Sequence, residues 1–142
     1  MQIWKKKIKC AVPEKACQVL AKFQASKTSA GGPFRILSIG CGDGIIDAIV
    51  LQAMISKYPD VKIQYTGIDI DEDTCQRAMK ELSPLKTDGG KVEISVLNMN
   101  MNSLNAEIPP CDLILAMHSL YYAMDIRKVL TDIRALLKTD GK

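Results

Sequence analysis

The amino-acid sequence predicts an α/β fold in which helices cover both faces of a parallel β-sheet. Short apolar runs alternate along the chain with segments whose apolar residues recur at helical spacing, as in chains built from β-α-β units. With 142 residues, of which 47% are hydrophobic, the chain is long enough for one domain with a core and too apolar to be disordered. Residues able to bind a ligand follow the predicted strands, and α/β sheets bind ligands at the carboxyl ends of their strands.

The N-terminal residues 1–33 are predicted to form a basic head, one helix and a linker, before a core that spans residues 34–142. The helix is expected over 13–25, where apolar residues share one face and Pro13 occupies a first turn that tolerates proline. The last eight residues of this segment (SKTSAGGP) have the composition of a loop.

Four strands and three helices are predicted in the core, in the order β-α-β-α-β-β-α. The first strand is an apolar run that ends at Gly40 and is typical of a strand buried on both faces, and the helix after it is apolar almost throughout. The second helix opens with acidic residues, where the helix dipole favours them, and is stopped by Pro84. The third strand follows a glycine turn, the fourth follows Pro109-Pro110, and the last helix is amphipathic. The predicted bounds are 34–39, 61–70, 91–97 and 112–117 for the strands, and 45–57, 71–82 and 125–137 for the helices.

Composition and charge exclude several classes of protein. No run of about 20 apolar residues is present, so no membrane span is predicted. The charged N-terminus is not followed by a continuous apolar run, so no signal peptide is predicted either. The five cysteines include no C-x-x-C pair, which argues against a disulfide framework and a zinc site and predicts a location in the cytoplasm. Residues 1–35 hold eight Lys and Arg against one Glu, whereas residues 36–142 hold eleven against fifteen Asp and Glu.

A glycine-rich loop with glycines at 40, 42 and 44 lies between the first strand and its helix. Glycine permits a tight turn, and the unpaired N–H groups at the start of a helix face whatever binds there. Dinucleotide-binding folds use G-x-G-x-x-G, whose third glycine would fall at the position of Ile45. The G-x-G-x-G spacing instead resembles that of class I S-adenosylmethionine (SAM) methyltransferases, whose ligand has a cationic sulfonium and no pyrophosphate. The resemblance implies that Gly40, Gly42 and Gly44 bind SAM.

Asp69, near the end of the second strand, is the second indication of a nucleoside ligand. An ionised carboxylate is a strong acceptor and can accept both hydroxyls of a ribose. Enzymes that bind NAD use the same device, so Asp69 indicates a ribose-bearing cofactor rather than which one. The alternative is a solvated carboxylate at a strand end, which the glycine loop upstream makes the less favoured interpretation.

Asn98 and Asn100 follow the third strand, where methyltransferases of this class often place an acid or amide that bonds the adenine amine. Met99 and Met101 alternate with these residues, and apolar side chains pack on the adenine ring in such enzymes. Because Asn also favours turns, turn chemistry explains the same pattern. Both interpretations stay open.

The segment after the fourth strand, Met117-His118-Ser119-Leu120-Tyr121-Tyr122, is where class I methyltransferases meet the methyl group and the substrate. His118 is the only histidine of the chain. Because an imidazole titrates near neutral pH without a shift, His118 can orient a substrate amine or accept its proton as the catalytic residue. Tyr122 can line the substrate pocket. The alternatives are a structural histidine and ordinary packing of the tyrosine.

Two segments resemble histamine N-methyltransferases in particular. They are 36–47 (ILSIGCGDGIID), followed by KYP after the helix, and 120–126 (LYYAMDI). Ser38 stands where most of the class has an acid and the histamine enzymes have Ser. The resemblance covers roughly residues 34–138 and implies transfer of a methyl group from SAM to a nitrogen of a small amine.

The same resemblance assigns site residues by position. It implies cofactor contacts from Gly40, Asp69, Thr74 and Met117. His118 stands where the histamine enzymes carry a substrate-contacting Gln, so the identity of the amine is left open.

Class I methyltransferases have a seven-stranded, Rossmann-like sheet with the strand order 3-2-1-4-5-7-6. Four of these strands are predicted here, in the order 3-2-1-4, with strand four as an apolar edge able to pair with a second copy of the chain. The resemblance therefore implies a partial methyltransferase sandwich, which is a truncated product, a fragment or a piece completed by a partner.

Three other functions compete with SAM-dependent methylation of a small amine. A non-catalytic chain would bind SAM or a partner without turnover. A nucleic-acid methyltransferase would use the basic head Lys5-Lys6-Lys7-Ile8-Lys9, although a charge run is usually a solvated surface. The glycine spacing disfavours an NAD oxidoreductase.

Overall fold

The computed structural model describes residues 2–25, 32–87, 90–104, 108–116 and 125–137, and gives only the backbone of residues 2–11, 25 and 103. Along the chain, α-helices and β-strands alternate as predicted. Short 3-10 turns follow the third helix and the third strand. The helices are α1 Gln2–Ala25, α2 Ile45–Lys57, α3 Glu72–Leu82 and α4 Ile126–Leu136, and the strands are β1 Phe34–Ile39, β2 Ile63–Asp69, β3 Val92–Asn98 and β4 Leu113–Leu115.

The four strands form one parallel sheet in the order β3-β2-β1-β4. Tyr65 of β2 lies at the centre, opposite Ile36 of β1 on one side and Ile94 of β3 on the other. The predicted α/β fold and the predicted strand order 3-2-1-4 are therefore confirmed. In this order, the carboxyl ends of β1 and β2 are adjacent, and the loops that follow them lie side by side.

The two faces of the sheet carry separate apolar clusters. The residues of β1 alternate between them: Phe34 and Ile36 belong to the larger cluster, and Leu37 and Ile39 to the smaller one. This division explains why β1 is apolar at nearly every position, as expected for a strand covered on both faces. Members of α1, α2 and α3 pack in the larger cluster, whereas α4 contributes Ile133 and Leu136 to the smaller one.

The strands β2 and β4 are shorter than the predicted spans 61–70 and 112–117. At the start of each strand, a turn or a side-chain hydrogen bond takes the place of regular main-chain pairing. Val61 donates its N–H to the Tyr58 oxygen at 3.2 Å, so it still belongs to the turn that leaves α2. At the start of β4, the Asp112 carboxylate accepts the N–H of Arg35 at 2.9 Å in place of a main-chain oxygen. The regular ladder of β4 therefore begins at Leu113.

The first helix is longer than the predicted span 13–25, because it extends back to Gln2 and contains Pro13 in its interior. Proline inside a helix loses one main-chain hydrogen bond, which is why the sequence favours a helix start at Pro13. The residues before it are mostly lysine, glutamine and apolar residues, which support a helix. Ala16 and Leu20 lie in the larger cluster, so packing against the sheet side holds this helix in place.

Beyond β1, the edge of the sheet at β4 is approached by the end of α4. Cys111 donates its N–H to the Leu136 oxygen at 2.6 Å and forms a single parallel bridge with Leu137. Within the described ranges β4 otherwise pairs with β1 alone, and self-association through this edge stays a prediction. None of the helices in the described part of the chain is long and apolar enough to cross a membrane.

We expect Leu20→Ala to lower the free energy of unfolding by about 2–5 kcal/mol, since truncating a fully buried leucine leaves a cavity. Urea denaturation followed by circular dichroism measures the change. The matched control is Gln18→Ala on the exposed side of the same helix, which we expect to change stability by less than about 0.5 kcal/mol. Equal effects of the two substitutions would show that α1 does not pack as described.

Candidate cofactor site at the carboxyl ends of β1 and β2

The loop from β1 to α2 is a sharp turn in which all three glycines have left-handed backbone angles. The φ values are 65° at Gly40, 60° at Gly42 and 81° at Gly44. Gly44 is the N-cap of α2 and accepts the N–H of Ala48 at 2.8 Å. An L-residue with a side chain adopts this backbone region only at a cost.

Gly44 and Gly42 are needed for different reasons. A Cβ on Gly44 would lie 3.2 Å from the Ala78 Cα and 3.3 Å from the Leu82 Cγ, because α3 packs directly against the loop. A Cβ on Gly42 would meet no atom within 4 Å. The loop is thus packed on one side and open at Gly42, where a ligand can approach the backbone.

Asp69 is held against this loop by hydrogen bonds to the main chain. Its Oδ2 accepts the N–H of Gly42 at 3.1 Å, and its Oδ1 accepts the N–H of Asp71 at 3.0 Å. Each carboxylate oxygen has two acceptor sites, so both oxygens keep capacity for a further donor such as a ribose hydroxyl. The structure therefore brings together the predicted residues Gly42 and Asp69.

Thr74 lies one turn into the neighbouring helix, where it takes part in capping. Asp71 is the N-cap of α3, and its Oδ2 accepts the main-chain N–H of Thr74 at 2.9 Å and also the Thr74 hydroxyl. The Thr74 oxygen accepts a hydrogen bond from Arg77 at 3.3 Å. The predicted cofactor contact of Thr74 stays a prediction, and the geometry shows it stabilising the start of α3.

The two asparagines predicted near the adenine differ in their surroundings. Asn98 is the last residue of β3 and pairs with Asp69 in the sheet. With its amide oriented so that the nitrogen donates, it bonds the main-chain oxygens of Asp69 and Ile70 at 3.2 and 3.0 Å. Asn100 accepts the N–H of Asn102 at 2.9 Å and caps a 3-10 turn. Asn100 therefore shows the turn chemistry that its sequence context also predicts. Contacts of either residue with adenine stay predictions.

Ile70 is a feature of this edge that sequence analysis missed. Its side chain follows Asp69 directly and is 68% exposed, the most exposed of the large apolar residues described. As the last residue of the predicted second strand, Ile70 gives no sign in the sequence of being a site residue. An exposed aliphatic side chain beside an anchored carboxylate gives this edge both a polar and an apolar contact for a nucleoside.

A buried polar group beneath the loop was also missed. Asp47 in the first turn of α2 is 2% exposed, and its carboxylate accepts the hydroxyl of Tyr65, which is 1% exposed. Ser38, the last residue but one of β1, is also buried, and hydrogen bonding by its hydroxyl lowers the pKa of the Asp47 carboxyl. The available signal was an acid inside the otherwise apolar run IIDAIV, since a buried carboxylate requires partners.

Electrostatics around the loop keep its thiol protonated. Burial, followed by the nearby carboxylates of Asp47 and Asp69, raises the pKa of Cys41 to about 12. Burial also raises the pKa of the Asp47 carboxyl, and the hydrogen bonds from Ser38 and Tyr65 oppose that shift. Cys41 is therefore neutral near pH 7 and has no nucleophilic character.

The sequence pattern of a known family, described as a methyltransferase domain, matches residues 37–142 of this chain. The chain belongs to this family. The match begins inside β1, includes the glycine loop and Asp69, and extends through α4. The methyltransferase class predicted from the glycine spacing is thus confirmed.

Solved structures share the fold of this methyltransferase domain at low sequence identity. The plantazolicin methyltransferase BpumL in complex with SAH is 18% identical with a TM-score of 0.59, and the match covers 94% of this chain and 45% of that one. For the CMeT domain of the citrinin polyketide synthase the identity is 20%, the TM-score 0.70 and the coverage 94% and 34%. The [4+2]-cyclase SpnF is 24% identical with a TM-score of 0.59 and coverage of 90% and 42%. The chain therefore spans less than half the length of each of these proteins.

The comparisons support the cofactor more directly than the substrate. SAM as the predicted cofactor is confirmed at the level of the family, and BpumL was solved with SAH bound. No curated protein matches the chain, so its closeness to histamine N-methyltransferases stays a prediction. The predicted residues Met117, His118 and Tyr122 lie outside the described residues.

Because its Cβ would press on α3, we expect Gly44→Ala to destabilise the methyltransferase domain more than Gly42→Ala does. Each substitution should lower the free energy of unfolding by about 1–2 kcal/mol, because it places an L-residue at a left-handed angle. Gly44→Ala should lower it by about 1–3 kcal/mol more, because the added methyl overpacks against Ala78 and Leu82. Urea denaturation of the two variants side by side measures the difference, and equal losses would contradict the close approach of α3.

Proposed function

We propose that this chain provides the SAM-binding part of a methyltransferase that transfers a methyl group to the nitrogen of a small amine. The observation that carries the cofactor half of the proposal is the hydrogen bond from the Gly42 N–H to the Asp69 carboxylate. This bond places a G-x-G-x-G loop and an acid on the same open edge of a parallel sheet, which is where such sheets bind nucleosides.

The residues present fit SAM in three respects. The open backbone at Gly42 accommodates the close approach of a ligand. The remaining acceptor sites of Asp69 suit the two ribose hydroxyls. The exposed side chain of Ile70 offers an apolar surface for the adenine ring, and Asn98 lies beside it in the sheet as the partner of Asp69.

When bound, SAM supplies an electrophilic methyl group on a cationic sulfonium. In the proposed reaction the chain itself does little chemistry beyond binding and orientation, because an amine in line with that methyl needs mainly to be positioned. His118 accepts the proton that the substrate nitrogen releases, and Tyr122 lines the pocket. Met117, which follows β4 in the sequence, contacts the cofactor.

A small amine as the methyl acceptor rests on the resemblance of residues 36–47 and 120–126 to histamine N-methyltransferases. The names of the structural neighbours point in other directions, because they include a plantazolicin methyltransferase and a domain of a citrinin polyketide synthase. The methyltransferase fold therefore does not determine the methyl acceptor, which depends on the residues that face the cofactor across the site.

We expect the 142-residue chain to bind SAM saturably in a calorimetric titration and to bind no NADH. Asp69→Asn should weaken SAM binding about tenfold to a hundredfold, because a hydrogen bond to a charged group contributes about 1.5–3 kcal/mol. Asp60→Asn is the matched control, since the Asp60 carboxylate is 99% exposed and lies before β2. Binding of NADH, or equal SAM affinity in the two variants, would contradict the proposed site.

The amine half is tested by turnover. With histamine as the first probe of an amine panel, we expect His118→Ala to lower methyl transfer by about a hundredfold between pH 6 and 9 while SAM affinity is unchanged. Unchanged turnover in the variant would remove His118 from the reaction. If the chain binds SAM but methylates no amine of the panel, the non-catalytic alternative replaces the proposed activity.

A further inference from the structure

We propose that Asp47 and Tyr65 are positioning residues that hold the glycine loop in the shape that binds SAM. This proposal rests on the proposed function for its ligand, but its geometry stands without it. Asp47 belongs to α2, Tyr65 to β2 and their neighbour Ser38 to β1, which are the three elements that surround the loop. A polar network shared by these elements fixes how the helix sits on the two strands.

Burying these polar groups is unfavourable unless they are hydrogen-bonded to each other, and this requirement restricts the network to a specific geometry. Asp47 is 2% exposed and Tyr65 is 1% exposed, and the Tyr65 hydroxyl donates to the Asp47 Oδ2. A buried carboxyl without its donors is strongly unfavourable, whereas apolar residues of the same size would pack in many arrangements. Only the arrangement that keeps the hydroxyl on the carboxylate satisfies both groups.

Gly67 connects this network to the loop above it. A Cβ on Gly67 would lie 2.8 Å from the Tyr65 Oη and 3.0 Å from the Cys41 Sγ, so the hydroxyl and the thiol side chain both occupy the space that a side chain would fill. Gly67 has no left-handed backbone angle, so its missing side chain, and not its flexibility, is what the site requires. Cys41 is the residue between Gly40 and Gly42.

A displacement of the Tyr65 ring would thus be transmitted to the loop by contact. Cys41 donates its N–H to the Ile68 oxygen at 3.0 Å and precedes Gly42, whose N–H holds Asp69. The buried carboxyl of Asp47 is thus connected to Asp69, the predicted ribose-binding residue, through Tyr65, the side of Gly67 that Tyr65 and Cys41 share, and Gly42.

The first test removes only the hydroxyl, with Tyr65→Phe. We expect the SAM dissociation constant to rise about tenfold, a typical coupling within one hydrogen-bonded network. Leu20→Ala, a core variant remote from the loop, is the control: it should lose stability and keep the wild-type SAM affinity. If Leu20→Ala weakens SAM binding as much as Tyr65→Phe does, the effect is one of general stability and the proposal is wrong.

The second test reaches the same contact from the other side, with Gly67→Ala. The added methyl should weaken SAM binding about as much as Tyr65→Phe, since it displaces the Tyr65 hydroxyl and Cys41. In the Tyr65→Phe background, where the hydroxyl is absent and only the contact with Cys41 remains, Gly67→Ala should weaken SAM binding clearly less than it does in the wild-type chain. Fully additive losses would show that the two residues act separately and would overturn the proposal.

Hydrogen exchange separates failure of this proposal from failure of the proposed function. In the ligand-free chain, Tyr65→Phe should speed exchange of the Gly42 and Gly44 amides about tenfold and leave the amides of α3 unchanged. Asp47→Asn, which keeps the side-chain size and one acceptor oxygen, should have the same effect to a smaller degree. If the wild-type chain binds no SAM, the proposed cofactor fails while this readout still decides the positioning role. Unchanged exchange at both glycines would show that Asp47 and Tyr65 do not position the loop.

Discussion

The candidate site depends on one hydrogen bond between the main chain of Gly42 and the carboxylate of Asp69. The sheet brings the partners together, because Cys41, two residues beyond the last pair of β1 and β2, donates its N–H to the Ile68 oxygen and places Gly42 beside the end of β2. The left-handed angles at Gly40, Gly42 and Gly44 then turn the chain into α2. With a side chain at Gly44 the turn would collide with α3, and without Asp69 the Gly42 N–H would lose its acceptor.

Much of the fold follows from the local pattern of apolar residues and from the glycines and prolines that bound each segment. The bounds of β1 and α2 agree with the predicted 34–39 and 45–57 because Gly40 follows one largely apolar run and Gly44 precedes the next. The disagreements arise where the structure departs from a local rule. Pro13 predicts a helix start, yet α1 runs through it from Gln2 to Ala25. In β4, the Asp112 side chain takes the place of a ladder partner.

The site divides in the same way. Glycine spacing and an acid at a strand end are features of short segments, so Gly42 and Asp69 could be predicted together. The network of Asp47, Tyr65 and Ser38 joins three elements. Because each element supplies only one of these residues, no short segment of the sequence reveals the network. Asn100 shows the limit of a composition argument, since amides suit both ligands and turns, and here the side chain caps a turn.

The division of the site also bears on how specificity is built. In the proposed site, the residues of β1, β2 and the loop between them bind the cofactor, which is the same for every methyl acceptor. A [4+2]-cyclase carries the same fold, so the scaffold alone does not select a reaction. The proposed preference for an amine must therefore depend on His118 and Tyr122, beyond β4. Changes in the glycine loop or in the Asp47 network would then alter SAM affinity equally for every acceptor, whereas changes at His118 would alter the choice of acceptor at constant SAM affinity.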